Sequence, residues 1–254
     1  MLTKDLQQEI IEYIKQPVPR NMFVVEQSIP VVFFGDIESA RCATLSINPS
    51  RIEFLDVNQE LLQNYQKRFC DREVIGVADT DWLTPEQSQA VYDSLINYFN
   101  GNPYKKWFGP IGKFAGDIFD TSYYDNSMVH LDIYPWATDP TWSGLSVNTQ
   151  NRILGSYDLF AKLISAPERL FDCVYVNGIT VKVLVEQVLK IKFKNLTPVR
   201  QVNRSGSVQC WVPFYYKLDN GCVIVGSNAN IPGCSVTVDA KQDIIETLRT
   251  VIKK

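Results

Sequence analysis

The sequence predicts an α/β fold of three layers, α/β/α, with a four-stranded, mainly parallel sheet extended by an antiparallel hairpin strand. Three observations lead there. Four short apolar runs, at 42–47, 128–134, 172–177 and 222–227, have the length and near-continuous hydrophobicity of strands buried on both faces. Amphipathic segments of helical period separate them, and strand–helix–strand alternation at this spacing calls for right-handed crossovers with helices on both faces of the sheet. Asp219-Asn220-Gly221, between apolar stretches at 208–218 and 222–225, is a hairpin signal that adds an antiparallel strand beside the last parallel one.

Taken in order, the chain opens with a helix that Thr3 is placed to cap. Leu6, Ile10, Ile11 and Ile14 form its apolar stripe, and Pro17 and Pro19 end it. Residues 31–35 read as a short strand or an edge. Thr84-Pro85-Glu86-Gln87 is a capping-box start with proline at the first helical position, continued by Val91, Leu95 and Phe99. Phe108-Gly109-Pro110 reads as a turn before a helix. The stretch 109–113 resembles a phosphate loop only loosely, because it lacks the glycine spacing and a serine or threonine after Lys113. Helices are expected at 148–164, 180–189 and 240–252. With no repeat, low-complexity tract or linker, the 254 residues read as one domain, 1–40 forming the N-terminal helix and lead-in and 41–254 the core.

Hydrophobic residues at 45% and charged residues at 21% are ordinary for a globular chain. No apolar run nears the roughly 18 residues of a membrane span, and the acidic-polar, periodic start is unlike a signal peptide, so the expected location is the cytoplasm. Cys42, Cys70, Cys173, Cys210, Cys222 and Cys234 show no C-x-x-C pair, which argues for reduced, buried thiols rather than a disulfide framework or zinc site. A net charge of −3 without a long basic block argues against a broad, non-specific nucleic-acid binder. It leaves Lys105-Lys106, 190–194 and the segment from Arg200 to Arg204 as local cationic candidates, beside the ordinary reading of each as a solvated face.

In open α/β sheets ligands bind beyond the carboxyl ends of the strands. Here the four strands run into Asn48-Pro49-Ser50, the segment 135–140, Asn177-Gly178 and the segment 227–233. These ends are rich in amides and poor in charge, which fits a pocket for a neutral polar ligand.

At this point the sequence resembles the uracil-DNA glycosylase superfamily. TLSINPSRIEF (44–54) is similar to its first motif, a strand followed by G-x-N-P-[GS] and an aromatic, with serine in place of the leading glycine. HLDIYPWATDP (130–140) resembles the next strand and its proline-containing loop, and VYVNGITVKVLV (174–185) the third strand and helix. VIVGSNANIPGCS (223–235) occupies the place of the second catalytic motif, usually built around H-P-S. The resemblance covers roughly residues 40–250 and implies base excision: a DNA glycosylase that flips a damaged or deaminated base into a pocket while water attacks the sugar carbon. Under that resemblance Asn48 orients the water, Phe54 stacks on the base, and Asp132 reads the base edge. Ile47, Pro49, Ser50, Trp136 and Asn230 complete the substrate-binding set. Asn228 stands where a histidine would donate to the departing base, since the one histidine of the chain is His130. Asp132 replaces an asparagine common in the family; as an ionised acceptor it would welcome an exocyclic amine and repel the O4 of uracil.

Each residue also has a bland reading: Asn48 and Asn228 as turn residues, Phe54 as core, Asp132 as a buried structural carboxylate. Trp107, Trp136 and Trp142 are candidates to flank the pocket. His130 and Asp132 share a strand face but lack a third metal ligand, and there is no G-x-S-x-G elbow. No metal or organic cofactor is expected. The implied partner is DNA, single- or double-stranded and held by local contact. The alternative is a free nucleobase or nucleotide bound by a non-catalytic module of the same fold, and an unrelated hydrolase or transferase on a doubly wound sheet is a third reading.

Overall fold

The computed structural model describes residues 2–203 and 206–253, so Arg204 lies outside the described residues. Its elements, in chain order, are helix α1 (Lys4–Ile14), strands β1 (Phe33–Phe34) and β2 (Cys42–Ser46), helices α2 (Arg72–Ile75), α3 (Pro85–Ile96) and α4 (Lys105–Phe119), and strand β3 (Met128–Asp132). Helices α5 (Val147–Gly155) and α6 (Leu159–Ser165), strand β4 (Cys173–Asn177) and helix α7 (Ile179–Leu189) follow. Strands β5 (Lys194–Asn195), β6 (Val199–Val202), β7 (Val208–Trp211), β8 (Pro213–Lys217) and β9 (Val223–Ser227) precede the closing helix α8 (Val238–Ile252).

The expected three-layer α/β/α arrangement is present. One seven-stranded sheet runs β1-β3-β2-β4-β9-β8-β5, and β6-β7 form a separate two-stranded ribbon. The four central strands β3, β2, β4 and β9 are mutually parallel, as the apolar runs predict. β1 adds antiparallel to β3 at one edge; on the other side β8 pairs antiparallel with β9 across the Asp219-Asn220-Gly221 turn, where Gly221 has φ +87°, and β5 pairs antiparallel with β8 to form that edge.

The helix caps follow their sequence signals. Thr3 accepts from the Leu6 amide, and Thr84 and Gln87 form the reciprocal capping box of α3. Three expectations are corrected. Residues 108–110 are not a turn but lie inside α4, where Pro110 only withholds the amide that would pair with the Lys106 carbonyl. Close packing favours the helix there: a Cβ on Gly112 would sit 2.6 Å from the Tyr123 ring, so glycine lets the 121–125 loop close onto α4. The segment 148–164 divides into α5 and α6 around Gly155-Ser156. The stretch 208–218 breaks at Val212, whose amide donates to Asn228 Oδ1 at 2.7 Å instead of continuing a ladder, so β7 turns away into the ribbon.

The stretch 57–81 is a packed insertion. Leu62 and Phe69 are buried in it, and Arg72, with no exposed surface, donates to the carbonyls of Gln16, Ala78 and Asp81 at 2.6–3.0 Å. The thiols are all unpaired, but they are not all buried: Cys210 is exposed, and Cys70 and Cys234 are half-buried. Among the described residues no helix is long and apolar enough to cross a membrane.

Candidate functional site

The four parallel strands are buried along their length apart from half-buried Val223 at the start of β9, yet their last residues are polar. Ser46 lies in register with Asp132, and Asn177 with Ser227; Ser46 falls one step beyond the Leu45–Val176 pair. The result is a buried polar row, Asp132–Ser46–Asn177–Ser227, across the carboxyl ends of the sheet. Residues in register on parallel strands point to one face, so these side chains share the face that carries Thr44, His130 and Tyr175.

A cavity of about 390 Å³ opens above this row. Ile47, Asn48, Pro49 and Ser50 line it on one side and Asn177, Gly178, Asn228 and Asn230 on another, with Trp107 and Trp142 supplying aromatic surface. Gly178 sits where β4 leaves the sheet at φ +97°, a backbone conformation that favours glycine, and a Cβ there would also come within 3.3 Å of Asn230. Asn177 ties the end of β4 to the segment after β9: its Oδ1 accepts from the Ile231 amide at 2.9 Å and its Nδ2 donates to Asn230 Oδ1 at 3.1 Å.

Asn48 is held by its amide nitrogen. Nδ2 donates to the Trp136 carbonyl and to Thr138 Oγ1, each at 3.2 Å. The carbonyl can only accept, which fixes the orientation of the amide and leaves Oδ1 as an acceptor with no protein partner among the described residues. The polypeptide after β3 is bound back onto this segment, Ile133 and Tyr134 donating their amides to the Ser46 and Ile47 carbonyls at 3.2 and 2.9 Å. Ser50 caps the single 3-10 turn Arg51–Glu53 through the Ile52 amide. Arg51, the charged residue of the lining, is paired with Asp139 at 2.7 Å.

Three sequence-derived site residues fall outside the cavity lining. The turn at 51–53 carries Phe54 inward, where it is 1% exposed and stacks on Phe69 at 5.5 Å, so it is a core ring with no face toward the cavity. Trp136 is buried and contributes only its carbonyl to Asn48. Asp132 is 2% exposed; its Oδ1 lies 3.5 Å from His130 Nε2 and makes no hydrogen bond. Burial pushes its carboxyl above the ordinary value, with His130 opposing. His130 in turn meets Thr44 Oγ1 through Nδ1 at 2.6 Å, inside an aromatic cage that includes Phe34 and Phe108. Nearby Glu53, also buried, accepts from the Tyr98 hydroxyl at 2.8 Å and is pushed up to about 7 by burial, against the pull of Arg68.

Asn228 lines the cavity, but its amide is committed to structure. Oδ1 accepts from the Val212 amide and Nδ2 donates to the Cys210 carbonyl at 3.3 Å, pinning the β6-β7 ribbon to the end of β9. Asn230 is exposed, and its Nδ2 has no partner among the described residues. Ser46 is the lining residue that the sequence reading left inside its strand. Its Oγ is buried with no partner among the described residues, and the signal for it was a polar residue closing an apolar run. Among the described residues no three His, Cys, Asp or Glu side chains are grouped to hold a metal ion.

No protein-family model matches the chain, and no curated protein matches it. What fold and site define is therefore a class: an α/β/α protein with an amide-rich, charge-neutral cavity at the carboxyl ends of its parallel strands.

Proposed function

We propose that the cavity receives a nucleobase with its sugar and that Asn48 orients a water for hydrolysis of the N-glycosidic bond. The observation that carries this reading is the free Oδ1 of Asn48, on an amide whose two hydrogens are both spent on Trp136 and Thr138. A fixed acceptor on a residue that lines the cavity suits a hydrolytic water, since positioning rather than base strength is what a neutral amide supplies. Trp107 and Trp142 offer surfaces for a base, and Asn230 Nδ2 a free donor to its carbonyl oxygen. With no histidine in the second motif and Asn228 engaged by the ribbon, stabilisation of the departing base is weak, and the reaction is expected to be slow.

A second reading, in which the same cavity binds a free nucleoside or nucleobase without hydrolysis, is favoured by one observation. Arg51 is neutralised by Asp139, so the lining presents no unpaired cation to DNA phosphates.

Single-turnover release of free base tests both. The panel carries uracil, hypoxanthine, xanthine and thymine in single- and double-stranded oligonucleotides, with the corresponding free nucleosides alongside. Release that disappears in a folded Asn48→Ala variant supports the hydrolase. Silence across the panel, with nucleoside binding detected by calorimetry, moves the conclusion to the binding module.

A further inference from the structure

We propose that Cys42 and Cys173, at the opposite end of the sheet from the cavity, form a dithiol that hydrogen peroxide oxidises to a disulfide between neighbouring parallel strands. The two residues open β2 and β4 and are direct register partners. Adjacent strands place such Cα atoms about 4.8 Å apart, inside the ~4.4–6.8 Å range over which a disulfide is made. Side chains in register on parallel strands leave the sheet on the same face, so the thiols are neighbours without any change of fold.

The two thiols interact, and the interaction is asymmetric: Cys42 is pushed up as the donor, while Cys173 is held below the ordinary thiol value by Cys42. The two residues are equally buried, at 7% and 6% exposed, but Cys173 is the one that borders a cavity. The cavity, of about 490 Å³, is also lined by Arg169, Asp172, Tyr215 and Lys217 and is ample for a peroxide molecule. Cys222 adjoins the pair but is more deeply buried, and burial pushes it up to about 12, which makes it a poor competitor.

In the first step the Cys173 thiol gives its proton to solvent and its sulfur attacks one oxygen of the peroxide. The O–O bond breaks, the second oxygen leaves as hydroxide and takes up a proton to become water, and Cys173 carries a sulfenic acid. Cys42 then loses its proton and attacks the sulfenic sulfur; the S–O bond breaks and the hydroxide, protonated, leaves as a second water. The two thiols lose two electrons in total, which reduce one peroxide to two waters. The new bond joins the strand that delivers Asn48 to the strand that delivers Asn177.

The test treats the full native chain with hydrogen peroxide, blocks remaining thiols under denaturing conditions, and maps the peptides by mass spectrometry. The expected product is an intramolecular Cys42–Cys173 link, reversed by dithiothreitol. In Cys42→Ser, Cys173 should stop at the sulfenic acid and be trapped by dimedone; in Cys173→Ser, Cys42 should remain reduced. The wild-type map alone can overturn the proposal. It does so if Cys42 and Cys173 are both recovered alkylated while exposed Cys210 has been oxidised, or if Cys173 is linked to Cys222 instead.

Discussion

Glu53 sits one residue before Phe54 and has almost no contact with solvent, yet its cationic neighbour, Arg68 Nε, is 3.5 Å away. Its other partner is the Tyr98 hydroxyl, which also accepts from the Tyr104 amide at 2.9 Å. Burial therefore outweighs the ion pair and lifts the carboxyl from 4.5 to about 7. The sign of the consequence follows from proton counting. Between about pH 4.5 and 7 the folded protein keeps a proton that the unfolded chain has already released, so stability is fully present below about 4.5 and is lost as pH rises through about 7. At about 1.4 kcal/mol per pH unit the loss amounts to about 3 kcal/mol. Glu53→Gln removes the titration and keeps an oxygen to accept from Tyr98. Urea denaturation followed by tryptophan fluorescence, at several pH values from about 4.5 to 8, reads the difference between wild type and variant. Wild-type stability should fall relative to the variant by about 3 kcal/mol across that range. Asp132, also raised by burial, titrates in both proteins and largely cancels. A difference that stays flat within about 0.5 kcal/mol would refute the reasoning and mean that Arg68 keeps Glu53 ionised throughout.

Asn48→Asp sets a carboxylate oxygen against the Trp136 carbonyl now 3.2 Å from Nδ2, so it should cost about 1–3 kcal/mol in denaturant titration; an unchanged midpoint would show that the amide does not hold this geometry. Arg72→Met strips three carbonyls of their donor and should lower stability by about 1–3 kcal/mol, read by the same titration, whereas a loss below about 0.5 kcal/mol would show that water replaces the guanidinium freely. Asn228→Ala should cost about 1–3 kcal/mol and release the ribbon, seen as lost hydrogen-exchange protection of the Val212 amide; retained protection would return Asn228 to the ligand-contacting set. Gly112→Ala forces a methyl against Tyr123 and should cost about 1–3 kcal/mol; a neutral effect on thermal unfolding would mean that the 121–125 loop gives way easily.

The elements visible in the sequence were those specified by local chemistry. The four apolar runs, the Thr3 cap, the Thr84 capping box and the Asp219-Asn220-Gly221 turn each carry their instruction within a few residues, and the parallel centre with its antiparallel hairpin follows from their order. The same reading located the cavity at Asn48, Asn177, Asn228 and Asn230, because strand ends in such a sheet must converge. What only the tertiary structure decided depends on partners distant in sequence. Whether Pro110 ends a helix or is tolerated inside one rests on the burial of one face of α4, Phe108, Ile111, Phe114, Ala115 and Ile118, on both sides of it. Whether 208–218 is one strand or two rests on the side chain of Asn228. Phe54 is core rather than cavity because a single turn aims it at Phe69. The free oxygen of Asn48 exists only because a carbonyl 88 residues away claims the nitrogen. A one-dimensional pattern specifies which residues prefer to be buried or to turn, whereas the hydrogen bond that leaves one atom of a side chain free is settled only when the last partner is in place.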